Sequence, residues 1–386
     1  MNTIRIFNGN IVTPNEILVG GTITIKNGSI VNIQSGSVND PQPFDIDATN
    51  KWVLPGLIDS HSDAIEQEVE PRPTSIMPLP FAFTQLERQL IGHGITTMYH
   101  SLSMYYSLAE GNWIRQNENL EKVIEFIHDY RKEATLLRHK VHLRYEMRNK
   151  KGLRTVEKLL VNNMIDQLSF MDHTPGKGAW MNIDVQREKI MKRLNYTKEQ
   201  ANQHMKELKG NDSFQMEEFE WLAELAFEKG VPVASHDDSS IETLDIMGKW
   251  KGRISEFPIN LPIAKAAKSR QLSVVMGAPN LLLGRSHNDN LSTLHAIEEG
   301  VVDMLCSDYY PSSLLQGLFL LKNKGFDFVE IVKLATLNPA KALQIDKYLG
   351  SIEQNKLADL LIISEKDGLP ILEKVFVDGR LNYQVN

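Results

Sequence analysis

The sequence predicts a (β/α)8 TIM-type barrel with a small β-sandwich-like domain built from both termini. Three observations predict it. About eight short apolar runs in the middle of the chain end on polar or charged residues, with helical patterns between them. The two ends of the chain read instead as alternating strands joined by tight turns. The length of 386 residues suits a barrel of ~250 residues plus an appendage. Expected boundaries are 1–50 and 346–386 for the two parts of the small domain and 51–345 for the barrel, with a helical insert at 177–230.

In chain order, Ile4 and Ile6 alternate with polar neighbours, as do Ile23 and Ile25, and Asn27-Gly28 supplies a hairpin turn because both residues tolerate positive φ. The barrel strands then follow. Trp52–Ile58 leads into His61, Ile95–Tyr99 into His100, His142–Tyr145 into Glu146, and Leu168–Met171 into Asp172-His173. Val231–Ala234 leads into His236, Ile254 into Glu256, Leu272–Met276 into Gly277, and Val301–Cys306 into Asp308. Within the insert, Thr197-Lys198-Glu199-Gln200 has the capping-box pattern, Asp212-Ser213-Phe214-Gln215 is a similar helix start, and that helix ends near Lys229-Gly230. Such an insert could serve as a lid or simply be a solvated connection. At the C-terminus, Ala358–Ile363 and Val375-Phe376-Val377 are strands, the second turning at Asp378-Gly379.

Composition narrows the function. A hydrophobic content of 42% and a charged content of 24% are ordinary for a globular protein. The net charge of -7 argues against a nucleic-acid partner, but a few local cations could still bind a small anion. The single cysteine, Cys306, excludes an intramolecular disulfide, fits a reducing cytoplasm, and reads as a small buried hydrophobe. Met1–Phe7 lacks the order of a signal peptide, and no apolar run reaches the roughly 18 residues of a membrane span. A cytoplasmic protein with no membrane partner is expected.

His61 and Asp63 lie two apart after an apolar run, so an extended chain points both the same way and both can reach one ion. Glu146, His173, His236 and Asp308 end later strands and would converge with them at the C-terminal mouth of the barrel. One such histidine is commonly only a hydrogen-bonded core residue; six residues in register with strand ends point to a metal centre. His93 reads as part of a turn, His128 and His139 as exposed, and Glu256 as a supporting group rather than a ligand.

The segments Leu54-Pro55-Gly56-Leu57-Ile58-Asp59-Ser60-His61-Ser62-Asp63, Pro71-Arg72-Pro73, Gly94-Ile95-Thr96-Thr97 and His142–Glu146 resemble the amidohydrolase superfamily. So do Met171–Gly176, Ala234–Asp238, Met276–Asn280, Ser286-His287 and Asn338-Pro339-Ala340. Asp172-His173-Thr174-Pro175-Gly176 and Ser307-Asp308-Tyr309-Tyr310-Pro311 narrow the resemblance to its phosphonate-metabolism diphosphatases. Asn355 stands where that superfamily usually has Gly, a mild departure since Asn also tolerates positive φ.

The resemblance implies release of pyrophosphate from α-D-ribose 1-methylphosphonate 5-triphosphate at a centre of two divalent ions. His61 and Asp63 would hold one ion, Glu146 would bridge, His173 and His236 would hold the second, and Asp308 would bind metal and act as general base. Asp63 replaces the second His of the commoner His-x-His motif, and its harder oxygen makes manganese or iron as eligible as zinc. For so anionic a substrate, Arg72, Arg144, Arg285 and His287 are the candidate binding cations, while Lys177 reads as solvated. The expected assembly is a homo-oligomer such as a dimer. Two rivals stay open: an amidohydrolase acting on a cyclic amide or N-acyl compound, and a non-catalytic scaffold of a phosphonate-degrading complex.

Overall fold

Five strands come from the N-terminal segment: β1 (Ile4–Val12), β2 (Ile17–Lys26), β3 (Ser29–Gln34), β4 (Ile46–Asp47) and β5 (Trp52–Pro55). Eight more follow: β6 (Leu57–Ser62), β7 (Ile95–Met104), β8 (Arg138–Glu146), β9 (Gln167–Met171), β10 (Val233–His236), β11 (Ile254–Glu256), β12 (Ser273–Gly277) and β13 (Met304–Cys306). The chain ends with β14 (Leu360–Lys366), β15 (Leu369–Val377) and β16 (Arg380–Gln384). This computed structural model describes residues 3–36, 38, 40–105, 112–133, 135–172, 174, 183–210, 215–284 and 290–385.

Strands β6 to β13 form one parallel sheet in sequence order, and a parallel bridge between Ser62 and Asp308 joins its two edges. This is the expected barrel. The strands from both termini form a second sheet in the order β16-β15-β14-β5-β1-β2-β3, with β4 against β1. Its apolar face buries Ile6, Ile11, Ile23, Val53, Leu360 and Phe376. Asn27-Gly28 takes φ of 54° and 83° and Asp378-Gly379 takes 51° and 67°, the doubly positive pair of a two-residue hairpin turn. Asn355 takes φ of 71°, so it fills the role of the usual Gly.

The run Trp52–Ile58 is two strands rather than one. β5 pairs with β14 in the terminal sheet, and β6 pairs with β7 in the barrel. The chain changes sheets at Gly56, where a Cβ would lie 2.3 Å from Thr96 Oγ1. Nearby, Arg138 at the start of β8 bonds both Asp359 and Asp378, tying the barrel to the terminal sheet.

β7 extends to Met104, so His100 sits inside the strand. There its Nε2 donates to His139 Nδ1 at 2.9 Å, and His139 Nε2 donates to Glu87 Oε1 at 3.1 Å. His139 is therefore buried, not exposed, and His128 is half-buried; the helix ending at Tyr130 turns its C-terminus onto the barrel wall. The insert contains helices Ile183–Leu194, Lys198–Gly210 and Met216–Glu228. The capping box forms as expected: Thr197 N donates to Gln200 Oε1 at 2.8 Å, and Gln200 N donates to Thr197 Oγ1 at 3.3 Å. The second helix start, at Asp212–Phe214, lies outside the described residues. No helix among the described residues is long and apolar enough to cross a membrane.

Side chains alternate along each strand, so the barrel interior is built in layers. Tyr99, Ala234, Ile254, Val275 and Cys306 belong to a buried apolar floor. Two residues further along their strands stand Ser101, His236, Glu256, Gly277 and Asp308. The same two-residue step that turns a packed core into a polar ring at the C-terminal ends positions the site.

Candidate metal centre

Closure of the barrel brings the first and last strands together. Asp308 N donates to the His61 carbonyl at 2.9 Å, and Asp63 N donates to the Asp308 carbonyl at 2.7 Å. These reciprocal bonds place His61, Asp63 and Asp308 side by side. Below them, Asp59 Oδ1 accepts from Ser307 N at 3.0 Å, a further tie across the same seam.

Glu256 organises the histidines. It lies opposite His236 in the β10–β11 register and is fully buried. It accepts from Gln167 Nε2 at 3.0 Å and Ser169 Oγ at 2.9 Å, and from His236 Nδ1 at 3.2 Å. His61 Nδ1 is also 3.2 Å away, although neither nitrogen of that buried ring has an aligned hydrogen-bond partner among the described residues. Burial alone would raise the Glu256 carboxyl, but His142, His236 and Arg144 hold it below its ordinary range. It therefore stays an anion that fixes the His236 ring through Nδ1, turning its Nε2 away, and it lies beside the His61 ring.

His142 lies beneath. Ser101 Oγ donates to its Nδ1 at 3.1 Å, its Nε2 donates to Ser169 Oγ, and Ser169 passes the chain on to Glu256. Donor atoms of His61, His142 and Glu256 lie within 4.8 Å of one another, which is metal-ligand spacing. Burial, with Arg144 adding to it, lowers the His61 and His236 imidazoles to about 3; burial also takes His142 to about 3. All three rings are neutral at physiological pH, the form that ligates a metal. Neutral imidazoles, aimed carboxylates and the orphaned His61 nitrogens together fit divalent ions.

Arg144 occupies the middle of the centre. Its Nη1 donates to Asp63 Oδ1 at 2.9 Å and its Nη2 to His236 Nε2 at 2.8 Å. Arg144 and His61 hold Asp63 below the ordinary carboxylate range despite its burial. The Asp308 carboxyl goes the other way: burial first, then Asp63, push it up to about 7. A second pair, Arg115 with Glu66 at 2.6 Å, backs the Asp63 side.

Asp63, Arg144, His236 and Asp308 line a cavity of roughly 160 Å³ with Asp237, Phe257, Pro258, Met276, Asn280, Asn290 and Leu291. Phe257 packs its ring edge-to-face on His61 and His236, with centroids 5.0 and 5.3 Å away. Asp237, Phe257 and Asp308, each just past a strand end, have φ of 55°, 55° and 56°. Non-glycine residues enter that left-handed region at a cost, and such strain clusters at functional sites.

Of the residues singled out from sequence, the structure brings His61, Asp63, Arg144, His236 and Asp308 together. Glu146 is buried at the end of β8, two residues beyond Arg144 and so on the same strand face. Arg72 is exposed. His173, Lys177, Arg285 and His287 lie outside the described residues. Sequence reasoning missed His142, Asp237 and the Arg115–Glu66 pair, and it gave Glu256 too small a part. His142 had a signal: it shares the inward face of β8 with Arg144 and Glu146 by the period-two rule.

The profile of the Amidohydrolase family matches residues 52–382. The Alpha-D-ribose 1-methylphosphonate 5-triphosphate diphosphatase of Escherichia coli (strain K12) is 31% identical over 378 residues, covering 97% of this chain and 98% of that protein. A solved structure of a Xaa-Pro dipeptidase with bound methionine aligns over 100% of both chains with a TM-score of 0.66 and 17% identity. The N-acetylglucosamine-6-phosphate deacetylase from Pasteurella multocida aligns over 98% of this chain and 99% of its own, with a TM-score of 0.65 and 12% identity. At these identities the two structures show a shared fold.

Proposed function

The chain belongs to the amidohydrolase family, and from that premise we propose that it is a metal-dependent diphosphatase releasing pyrophosphate from α-D-ribose 1-methylphosphonate 5-triphosphate. The observation that carries the substrate is the likeness to the Escherichia coli diphosphatase along nearly the whole of both chains.

The cavity chemistry supports a metal-dependent reading. Among the described residues its wall sets three carboxylates, Asp63, Asp237 and Asp308, against the guanidinium of Arg144. Such a wall repels a triphosphate unless dications offset it. In this reading His61, Asp63, His236 and Asp308 would hold the ions, and Glu146 and His173 would complete the set. Bound dications would polarise the phosphoryl oxygens and make a water more acidic. Zinc, manganese and iron all suit this mixed nitrogen and oxygen donor set.

Asp308 is the proton acceptor. Its carboxyl sits at the cavity wall, held by the backbone bonds to His61 and Asp63. A pKa raised towards neutrality suits it to take a proton during the reaction. It accepts the proton of a water whose oxygen bonds to the phosphorus nearest the ribose 5′ oxygen. The anhydride P–O bond on the far side breaks and pyrophosphate leaves, with the ribosyl 5-monophosphate left behind. Phe257 closes one side of the histidine pair to water.

The test is product identification by 31P NMR. Metal-loaded protein given the ribosyl triphosphate should yield equal amounts of pyrophosphate and 5-monophosphate, and a chelator should stop the reaction. An intact triphosphate beside hydrolysed cyclic amides or N-acyl compounds would replace this reading with the amidase one.

A further inference from the structure

Arg144 holds two of the donor atoms that bound metal ions would need. His236 presents Nδ1 to Glu256 at 3.2 Å, so its ring proton lies there and Nε2 has one lone pair to offer. That lone pair accepts from Arg144 Nη2 at 2.8 Å, while Nη1 bonds Asp63 Oδ1 at 2.9 Å. One lone pair cannot serve a guanidinium and a metal ion together. The arginine's own fit is incomplete, because its buried Nε has no hydrogen-bond partner among the described residues. The side chain also forms part of the cavity wall, so a guanidinium leaving Asp63 and His236 stays within reach of a bound anion.

We propose that Arg144 is a displaceable internal cation: metal binding at Asp63 and His236 drives the guanidinium off both, and it then becomes a fork for the phosphate groups of the substrate. The proposal rests on the metal-dependent reading above. It orders the events, with metal before substrate, since the fork is free only after the ion has bound. Repulsion between the ion and the guanidinium favours the outward position, and the fork's planar geometry suits two phosphate oxygens.

Calorimetric titration tests it without an activity readout. Chelator-stripped protein is titrated with Mn2+, and the loaded protein then with inorganic tripolyphosphate. Arg144→Met should take the ion at least about tenfold more tightly than wild type, since each tenfold corresponds to about 1.4 kcal/mol and the variant loses a two-pronged competitor. It should bind tripolyphosphate at least about tenfold more weakly. Arg144→Lys keeps the charge but not the fork, and should take the ion with an affinity between the two. Ion binding by Arg144→Met no tighter than wild type would overturn the proposal. So would Arg144→Lys matching wild type, because charge alone would then explain the effect. Unchanged tripolyphosphate binding would overturn the fork. If Arg144→Met does not fold, the Lys variant decides. Wild-type protein that takes up no metal at any concentration would instead bring down the metal-dependent reading itself, and this proposal with it.

Discussion

Asp308 and His100 show how much a single side chain's surroundings decide. Asp308 is raised to about 7 by burial and by Asp63 beside it. Replacing it with Asn keeps the shape and the backbone bonds to His61 and Asp63 but removes the proposed proton acceptor. Asp308→Asn should fold as wild type while kcat falls by roughly 10²–10⁴-fold; turnover near wild type would remove its role as base. His100 is held well below its ordinary pKa, by burial first and His139 second. The unfolded chain then binds the proton at a higher pH than the folded one. Stability from this group is complete above pH ~6.5 and is lost below it, by up to about 1.4 kcal/mol per pH unit. His100→Gln should flatten the fall in unfolding free energy between pH 6.5 and 5, measured by urea denaturation; an unchanged slope would clear His100 of the effect. In the sequence, His61, Asp63, His236 and Asp308 were legible because each follows an apolar run. His139 was not, because a lone histidine inside a strand interrupts no pattern, and His142 was marked only by its period-two spacing from Arg144 and Glu146. The Arg115–Glu66 pair joins a 3-10 turn to a short helix, a contact made only by the tertiary fold.

At the scale of elements, strands were legible where alternation or brevity marked them, and turns where Asn-Gly or Asp-Gly demanded positive φ. Strand ends were less so. One apolar run, Trp52–Ile58, feeds two sheets, because Gly56 lets the chain change partners beside Thr96 without a break in hydrophobicity. A methyl group there meets Thr96 Oγ1, Cγ2 and Cβ at 2.3, 2.5 and 2.9 Å, and a β-branched side chain has little rotamer freedom to yield. Gly56→Ala should therefore cost about 2–3 kcal/mol of stability in urea melts. Adding Thr96→Ala should recover part of the loss, since it removes all but the Cβ of that clash. A double variant no more stable than Gly56→Ala would place the strain elsewhere. The Thr197–Gln200 box shows the opposite case, a local signal that tertiary structure left intact.

For the whole molecule, the barrel and the terminal sheet depend on one another. β5 hands the chain to β6, and Arg138 on the barrel bonds Asp359 and Asp378 on the sheet. The fold class was legible because a run of strand–helix units flanked by strand-rich ends has few other solutions. The layering that makes the site was not, since it needs the register of neighbouring strands: His236 against Glu256, and Ser62 against Asp308 across the seam. That register concentrates neutral imidazoles and carboxylates at one end of the barrel, and the central claim is that this ring is a metal centre. An anomalous-difference map from crystals grown with Mn2+ tests it most directly. Two peaks are expected at the C-terminal mouth, within coordination distance of His61, Asp63, His236 and Asp308. A map of fully loaded crystals with no peak touching those residues would contradict it.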